Sequence, residues 1–173
     1  MKQAVIYFSR SGENFLNGRL TELEKGNTEV IAEQIAAKLN ASLFELMPQQ
    51  AYPEQYQAAV DVAKQEKEQA ALVPYTLEDL KLSDYQTIFL GFPNWWGSFP
   101  RVVASFLTEQ DWQNITIYPF CTHEGSAFGS SLEELRQTCQ GARIMKGLPV
   151  RGSRVTKAAT AIDNWLLQHT MEE

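Results

Sequence analysis

The run Thr87-Ile88-Phe89-Leu90-Gly91-Phe92, followed by Pro93-Asn94-Trp95-Trp96-Gly97-Ser98-Phe99-Pro100, decides how this chain folds. Its first six residues carry no charge and favour the pleated conformation, as expected of a central strand buried on both faces. Beyond the Pro- and Gly-bounded loop, Val102, Val103, Phe106 and Leu107 fall at helical spacing. The segment therefore reads strand, loop, helix.

Outward from this unit the same alternation recurs. Strand-like apolar runs occupy 4–8, 43–46, 115–120 and 143–148. Helical spacing is found over 28–39, with Ile31, Ile35 and Leu39 on one face, and over the alanine-rich stretch 52–71. Ser130-Ser131-Leu132-Glu133 carries a capping-box pattern, and Val155, Ala158, Ala159, Ile162, Trp165 and Leu166 form a closing amphipathic stripe. Strand and helix in alternation predict an α/β fold, a doubly wound five-stranded parallel sheet with helices on both faces. The first, third and fourth strands are nearly free of charge, whereas the second holds Glu45 and the fifth Lys146. Placing the charged strands at the edges gives the order 2-1-3-4-5, with the ligand-binding switch point between strands one and three.

The 173 residues, 44% hydrophobic and 21% charged, fit a single globular domain over 1–173. Its 21 acidic and 15 basic side chains give a net charge of −6, which argues against a nucleic-acid partner. The five apolar residues at 4–8 are too few for a signal-peptide core or a membrane span. Cys121 and Cys139 suggest neither a disulfide framework nor a metal site. The expectations are a cytoplasmic protein with no membrane partner. One segment breaks the rhythm: about 18 residues separate the first strand from the first helix, where roughly 2–6 are usual. Asn17-Gly18 between apolar residues predicts a hairpin inside this insertion, about 12–26.

In this architecture function resides in the loops after the strands. Ser9-Arg10-Ser11-Gly12 ends the first strand, and Gly26-Asn27-Thr28 opens the helix that follows. Hydroxyls and unpaired amides at a helix N-terminus suit an anion, though Asn27 or Thr28 could equally serve as a plain cap. No Walker loop is present, so nucleotide hydrolysis has no support. Trp95-Trp96 after the third strand suit a planar conjugated ligand, core packing or a subunit interface. Thr122-His123-Glu124-Gly125-Ser126 after the fourth combines small residues with hydrogen-bond donors. Cys121 near His123 lacks the following arginine that a cysteine phosphatase needs.

Taken together, Ser9-Arg10-Ser11-Gly12 with Gly26-Asn27-Thr28, Pro93-Asn94-Trp95-Trp96-Gly97 and Thr122-His123-Glu124-Gly125-Ser126 resemble the three FMN-binding loops of flavodoxin-like proteins. The resemblance implies FMN as cofactor, with its phosphate near Ser9, Arg10, Ser11, Asn27 and Thr28. It places the ring against Trp95 or Trp96 and the ring's polar edge near Asn94, Gly97, Thr122 and Gly125, and it counts Pro93, His123 and Ser126 among the cofactor-binding residues. The implied function is electron transfer as a redox carrier, with a redox partner protein or a small-molecule electron acceptor. A small FMN-dependent NAD(P)H reductase of quinone-type acceptors is the alternative, and the paired tryptophans would also suit a homodimer interface. The chain departs from the family pattern in the insertion, in Arg10 beside the phosphate, and in a second loop without acidic residues.

Overall fold

The structure, a computed structural model, describes residues 2–171. Its central sheet runs through β1 (Gln3–Tyr7), β4 (Ser42–Glu45), β7 (Thr87–Pro93), β8 (Thr116–His123), β9 (Arg143–Ile144) and β10 (Leu148–Arg151). The lateral order is β10-β8-β7-β1-β4, with β9 also on β8 and every pairing parallel. That is the expected 2-1-3-4-5 order, with the charged strands at the edges.

The fifth strand position differs from the expected 143–148, because it is split into β9 and β10. Between them the Lys146 carbonyl turns out of the ladder and accepts from Trp165 Nε1 (2.7 Å) and Gln168 Nε2 (3.0 Å). Gly147 at the break lies so close to the Phe128 ring that a Cβ would stand 2.4 Å from it.

Side-chain alternation along β1 divides the core. Ala4, Ile6 and Phe8 belong to the cluster packed with α3 (Arg101–Glu109) and α4 (Ser131–Thr138). Val5 and Tyr7 join the cluster of α1 (Asn27–Leu39) and α5 (Ala159–Thr170) on the opposite face. The closing stripe begins as a 3-10 turn, Gly152–Lys157, before α5. The alanine-rich segment forms α2 (Tyr56–Glu68), shorter than its expected 52–71 span, and a small antiparallel pair, β5 (Met47–Pro48) with β6 (Tyr75–Thr76), flanks it.

The insertion is an antiparallel hairpin of β2 (Gly12–Leu16) and β3 (Arg19–Leu23), turning at Asn17 (φ 51°) and Gly18 (φ 79°). Both values suit the two-residue turn predicted from Asn-Gly. The capping box before α4 does not close in its expected form. Ser130 Oγ donates to Glu134 Oε1 (2.5 Å) rather than capping an amide, and Ser131 Oγ donates to the Phe128 carbonyl (2.6 Å). Among the described residues no helix is long and apolar enough to cross a membrane.

Candidate functional site

The carboxyl ends of β1, β7 and β8 meet at the switch point around two adjoining cavities. Although the hairpin separates Ser9 from Thr28 in sequence, the chain returns to its starting point at Gly26. A Cβ on Gly26 would lie 2.1 Å from Ser9 Oγ and 2.6 Å from the Arg10 carbonyl oxygen, so this approach requires glycine. Ser9 Oγ accepts from the Glu29 amide (3.1 Å) and so caps α1 from a remote position. The first-turn amides of Asn27 and Thr28 precede it at the positive end of the helix dipole. Buried Thr28 reaches across to buried Thr122, their hydroxyl oxygens 2.7 Å apart.

This pair locks α1 to the end of β8 and makes a double-mutant cycle informative. Thr28→Val or Thr122→Val alone strands a buried hydroxyl and is expected to cost about 1–2 kcal/mol, whereas the double variant should cost less than the sum. Chemical denaturation of the four proteins measures the coupling; additive losses would show that the hydroxyls act independently.

After β7, the Asn94 amide donates to the Thr122 carbonyl (2.8 Å), and its side chain donates to Ser126 Oγ (3.1 Å) and the Ala127 carbonyl (2.6 Å). Trp95 and Ser98 bracket a tight turn through mutual backbone hydrogen bonds of 2.8 and 3.2 Å. Trp96 at its tip has φ 54°, a left-handed conformation that a bulky residue holds only where its surroundings impose it. Those surroundings are on α2. Trp96 Nε1 donates to the Val60 carbonyl (3.2 Å), Lys67 Nζ donates to the Trp96 carbonyl, and Lys64 Nζ stands 5.7 Å above the ring. Trp95 instead turns inward, edge-to-face with Phe8 (5.3 Å) and Tyr52 (4.9 Å).

In the third loop, His123 Nδ1 accepts from the Gly125 amide (2.9 Å), which leaves Nε2 to carry the proton of the neutral ring. Burial, then the nearby Arg151, lower the His123 pKa from its usual value and favour that neutral form. Cys121 is fully buried and its thiol is pushed up to about 12 by burial, so it is no thiolate nucleophile.

The first cavity, about 180 Å³, is polar at its base. Ser9, Asn27, Thr28, Thr122, His123 and Ser126 line it together with Arg10, Pro93, Asn94 and Trp95. The second, about 280 Å³, shares Arg10, Asn14, Tyr56, Asn94 and Trp95 with the first and adds Trp96 and the apolar face of α2 at Ala59, Val60 and Ala63. The structure thus brings together most of the residues expected from the sequence. Ser11 is exposed and lines neither cavity, nor do Gly97 and Gly125. Arg10 reaches the cavities while its guanidinium donates to the carbonyls of Glu13 (2.5 Å), Pro53 (2.8 Å) and Glu54 (2.6 Å), and its buried Nε has no hydrogen-bond partner among the described residues. Sequence reasoning missed Asn14, Phe15, Tyr56 and Glu124 as lining residues, along with the α2 face. The Asn-Gly signal marked the hairpin but not the direction in which it folds.

A flavodoxin family model matches residues 21–169. The chain belongs to the flavodoxin family. That family binds FMN, and its members commonly transfer electrons to partner proteins. No functionally curated protein matches the sequence. Among solved structures, a Bacteroides uniformis protein assigned as a flavoprotein is 23% identical, with 94% of this flavodoxin and 97% of that chain covered and a TM-score of 0.71. A Lactobacillus acidophilus flavoprotein in complex with FMN is 18% identical over 90% and 97% of the two chains, TM-score 0.66. A Fusobacterium nucleatum flavodoxin bound to flavin mononucleotide is 14% identical over 99% of each, TM-score 0.57. These likenesses establish the shared fold.

Proposed function

We propose that this flavodoxin binds FMN in the paired cavities and acts as an electron carrier to a redox partner protein. The observation that carries the reading is the graded cleft. One end has hydroxyls and the N-terminus of α1, the other has Trp96 and an apolar helix face, and Arg10 and Trp95 border both. A phosphate suits the first end and a planar ring the second, and adjoining cavities of about 180 and 280 Å³ accord with the size of small-molecule sites. Ser9, Arg10, Asn27 and Thr28 would hold the phosphate. Trp95 and Trp96 would border the ring, and Asn94, Thr122 and Ser126 would set its polar edge.

When bound, FMN supplies the electron-transfer chemistry, and the protein's part is orientation, hydrogen bonding and charge around the ring. Asn94 holds the third loop to the second through Ser126 and Ala127, fixing their separation. Lys64 and Lys67 place positive charge beside the second loop, where it would favour a reduced, more negative ring.

The test is the visible spectrum of the protein after incubation with FMN and desalting, followed by redox titration. Retained and perturbed flavin bands, with potentials displaced from those of free FMN, are expected. Absence of retained flavin across micromolar to millimolar additions would remove the cofactor assignment. Rapid steady-state oxidation of NAD(P)H with a quinone would replace the carrier by a reductase.

A further inference from the structure

We infer that the β2–β3 hairpin is a fourth wall of the cofactor site, contributing Asn14 and Phe15 with Tyr56 of α2, and that Glu124 latches it as a gate on FMN uptake and release. The inference rests on the FMN reading of the cleft. The hairpin spans the cleft from α2 to the third loop. At its base Arg10 ties it to the Pro53 and Glu54 carbonyls; farther along, Glu13 Oε1 accepts from the Tyr56 amide (2.9 Å) at the start of α2. Phe15 stacks on Tyr56 with ring centroids 5.8 Å apart and planes at 26°. Both rings line the polar cavity, and Asn14 lines both cavities.

At the far end the Asn17 amide donates to Glu124 Oε2 (3.1 Å). Beside this contact, a Cβ on Gly152 would meet Glu124 Oε1 at 2.4 Å, Asn27 Nδ2 at 2.6 Å and Leu16 Cδ1 at 2.9 Å. The hairpin tip, the third loop and the start of α1 therefore converge over one residue. Arg151 Nη1 donates to the Glu124 carbonyl (3.1 Å), which steadies the residue that carries the latch.

The far end is more weakly held than the base. Its sheet consists of two strands alone, a form of marginal independent stability. Leu20, paired with Phe15 across the strands, is 58% exposed, so apart from the Phe15–Tyr56 stack the hairpin has little apolar packing to lose on opening. Among the described residues the base has three guanidinium contacts, whereas the tip donates one hydrogen bond, from the Asn17 amide to exposed Glu124. Opening about the base thus breaks the Asn17–Glu124 hydrogen bond and the Phe15–Tyr56 stack, and uncovers the polar cavity.

A latch gives a kinetic signature different from that of a ligand contact. If the tip holds equally with and without FMN, its loss raises the open population in both states. Association and dissociation then accelerate by the same factor and Kd hardly changes. For Glu124→Ala we expect about a 3–10-fold rise in both rates by stopped-flow flavin fluorescence, from the loss of one exposed charge-assisted hydrogen bond. Glu124→Gln, which keeps an acceptor oxygen, should fall between. In the apoprotein, amide hydrogen exchange across 14–21 should quicken in Glu124→Ala and not elsewhere. Faster dissociation alone would make Glu124 a cofactor contact and overturn the gate, as would unchanged exchange in the hairpin. Wild-type protein that takes up no FMN would remove the cleft reading and the cofactor role of Asn14 and Phe15, while hydrogen exchange would still decide the latch.

Discussion

Replacing Trp95 with Ala is expected to weaken FMN binding at least tenfold and to destabilise the apoprotein by about 3 kcal/mol, within the range for large aromatic truncations. The indole has two neighbours whose positions depend on it, Phe8 at the end of β1 and Tyr52 before α2, both edge-to-face. Each aromatic pair contributes roughly 0.5–1.5 kcal/mol beyond the area it buries. Tyr52 in turn donates to Glu66 Oε1 (2.7 Å), so the ring also anchors α2, whose face closes the apolar cavity. Trp95→Phe keeps an edge for both neighbours and should recover most of the stability. Denaturant titration of the apoproteins and quenching of flavin fluorescence separate the two effects. A destabilised Trp95→Ala that still binds FMN at wild-type affinity would place the ring elsewhere.

The parts of this molecule that were legible in its sequence are those written as local periodicity. Uncharged runs marked the central strands, and Glu45 and Lys146 marked the edges, although Lys146 lies in the break between β9 and β10. Asn17-Gly18 specified a turn because few other dipeptides accept its backbone angles. What escaped was set by contacts between remote segments. The α1 cap is Ser9, 20 residues before the amide it serves. Nothing in the alanine-rich segment announced that Ala59, Val60 and Ala63 would face a cavity and not only the core. Small apolar side chains at helical spacing have the same pattern in either role. Arg10 illustrates the same limit: its charge suggested a phosphate, but position in sequence could not reveal the three carbonyls that also claim its guanidinium.

The insertion raises a structural question that Gly26 answers. A phosphate loop interrupted by a hairpin could hold an anion only if its halves were rejoined in space. The join is the contact of Gly26 with Ser9 and Arg10, tight enough to leave no room for a methyl group. Gly26→Ala is therefore expected to reduce FMN affinity by 30-fold or more. Ser9 could yield by rotating its hydroxyl, but only by abandoning the Glu29 amide, at about 0.5–2 kcal/mol for a lost cap. The Arg10 carbonyl belongs to the backbone and cannot rotate aside, so α1 must shift, with a further overpacking cost of roughly 1–3 kcal/mol. A displaced α1 would carry its N-terminal amides away from the proposed phosphate site while leaving the tryptophan end in place. Riboflavin, which has the ring but no phosphate, separates these effects. Wild-type protein should favour FMN strongly over riboflavin, and Gly26→Ala should bring the two affinities together by weakening FMN alone. Equal losses for both ligands would mean that the substitution deforms the whole cleft. Unchanged preference for FMN would mean that the phosphate is held elsewhere than at the junction of Ser9, Arg10 and α1.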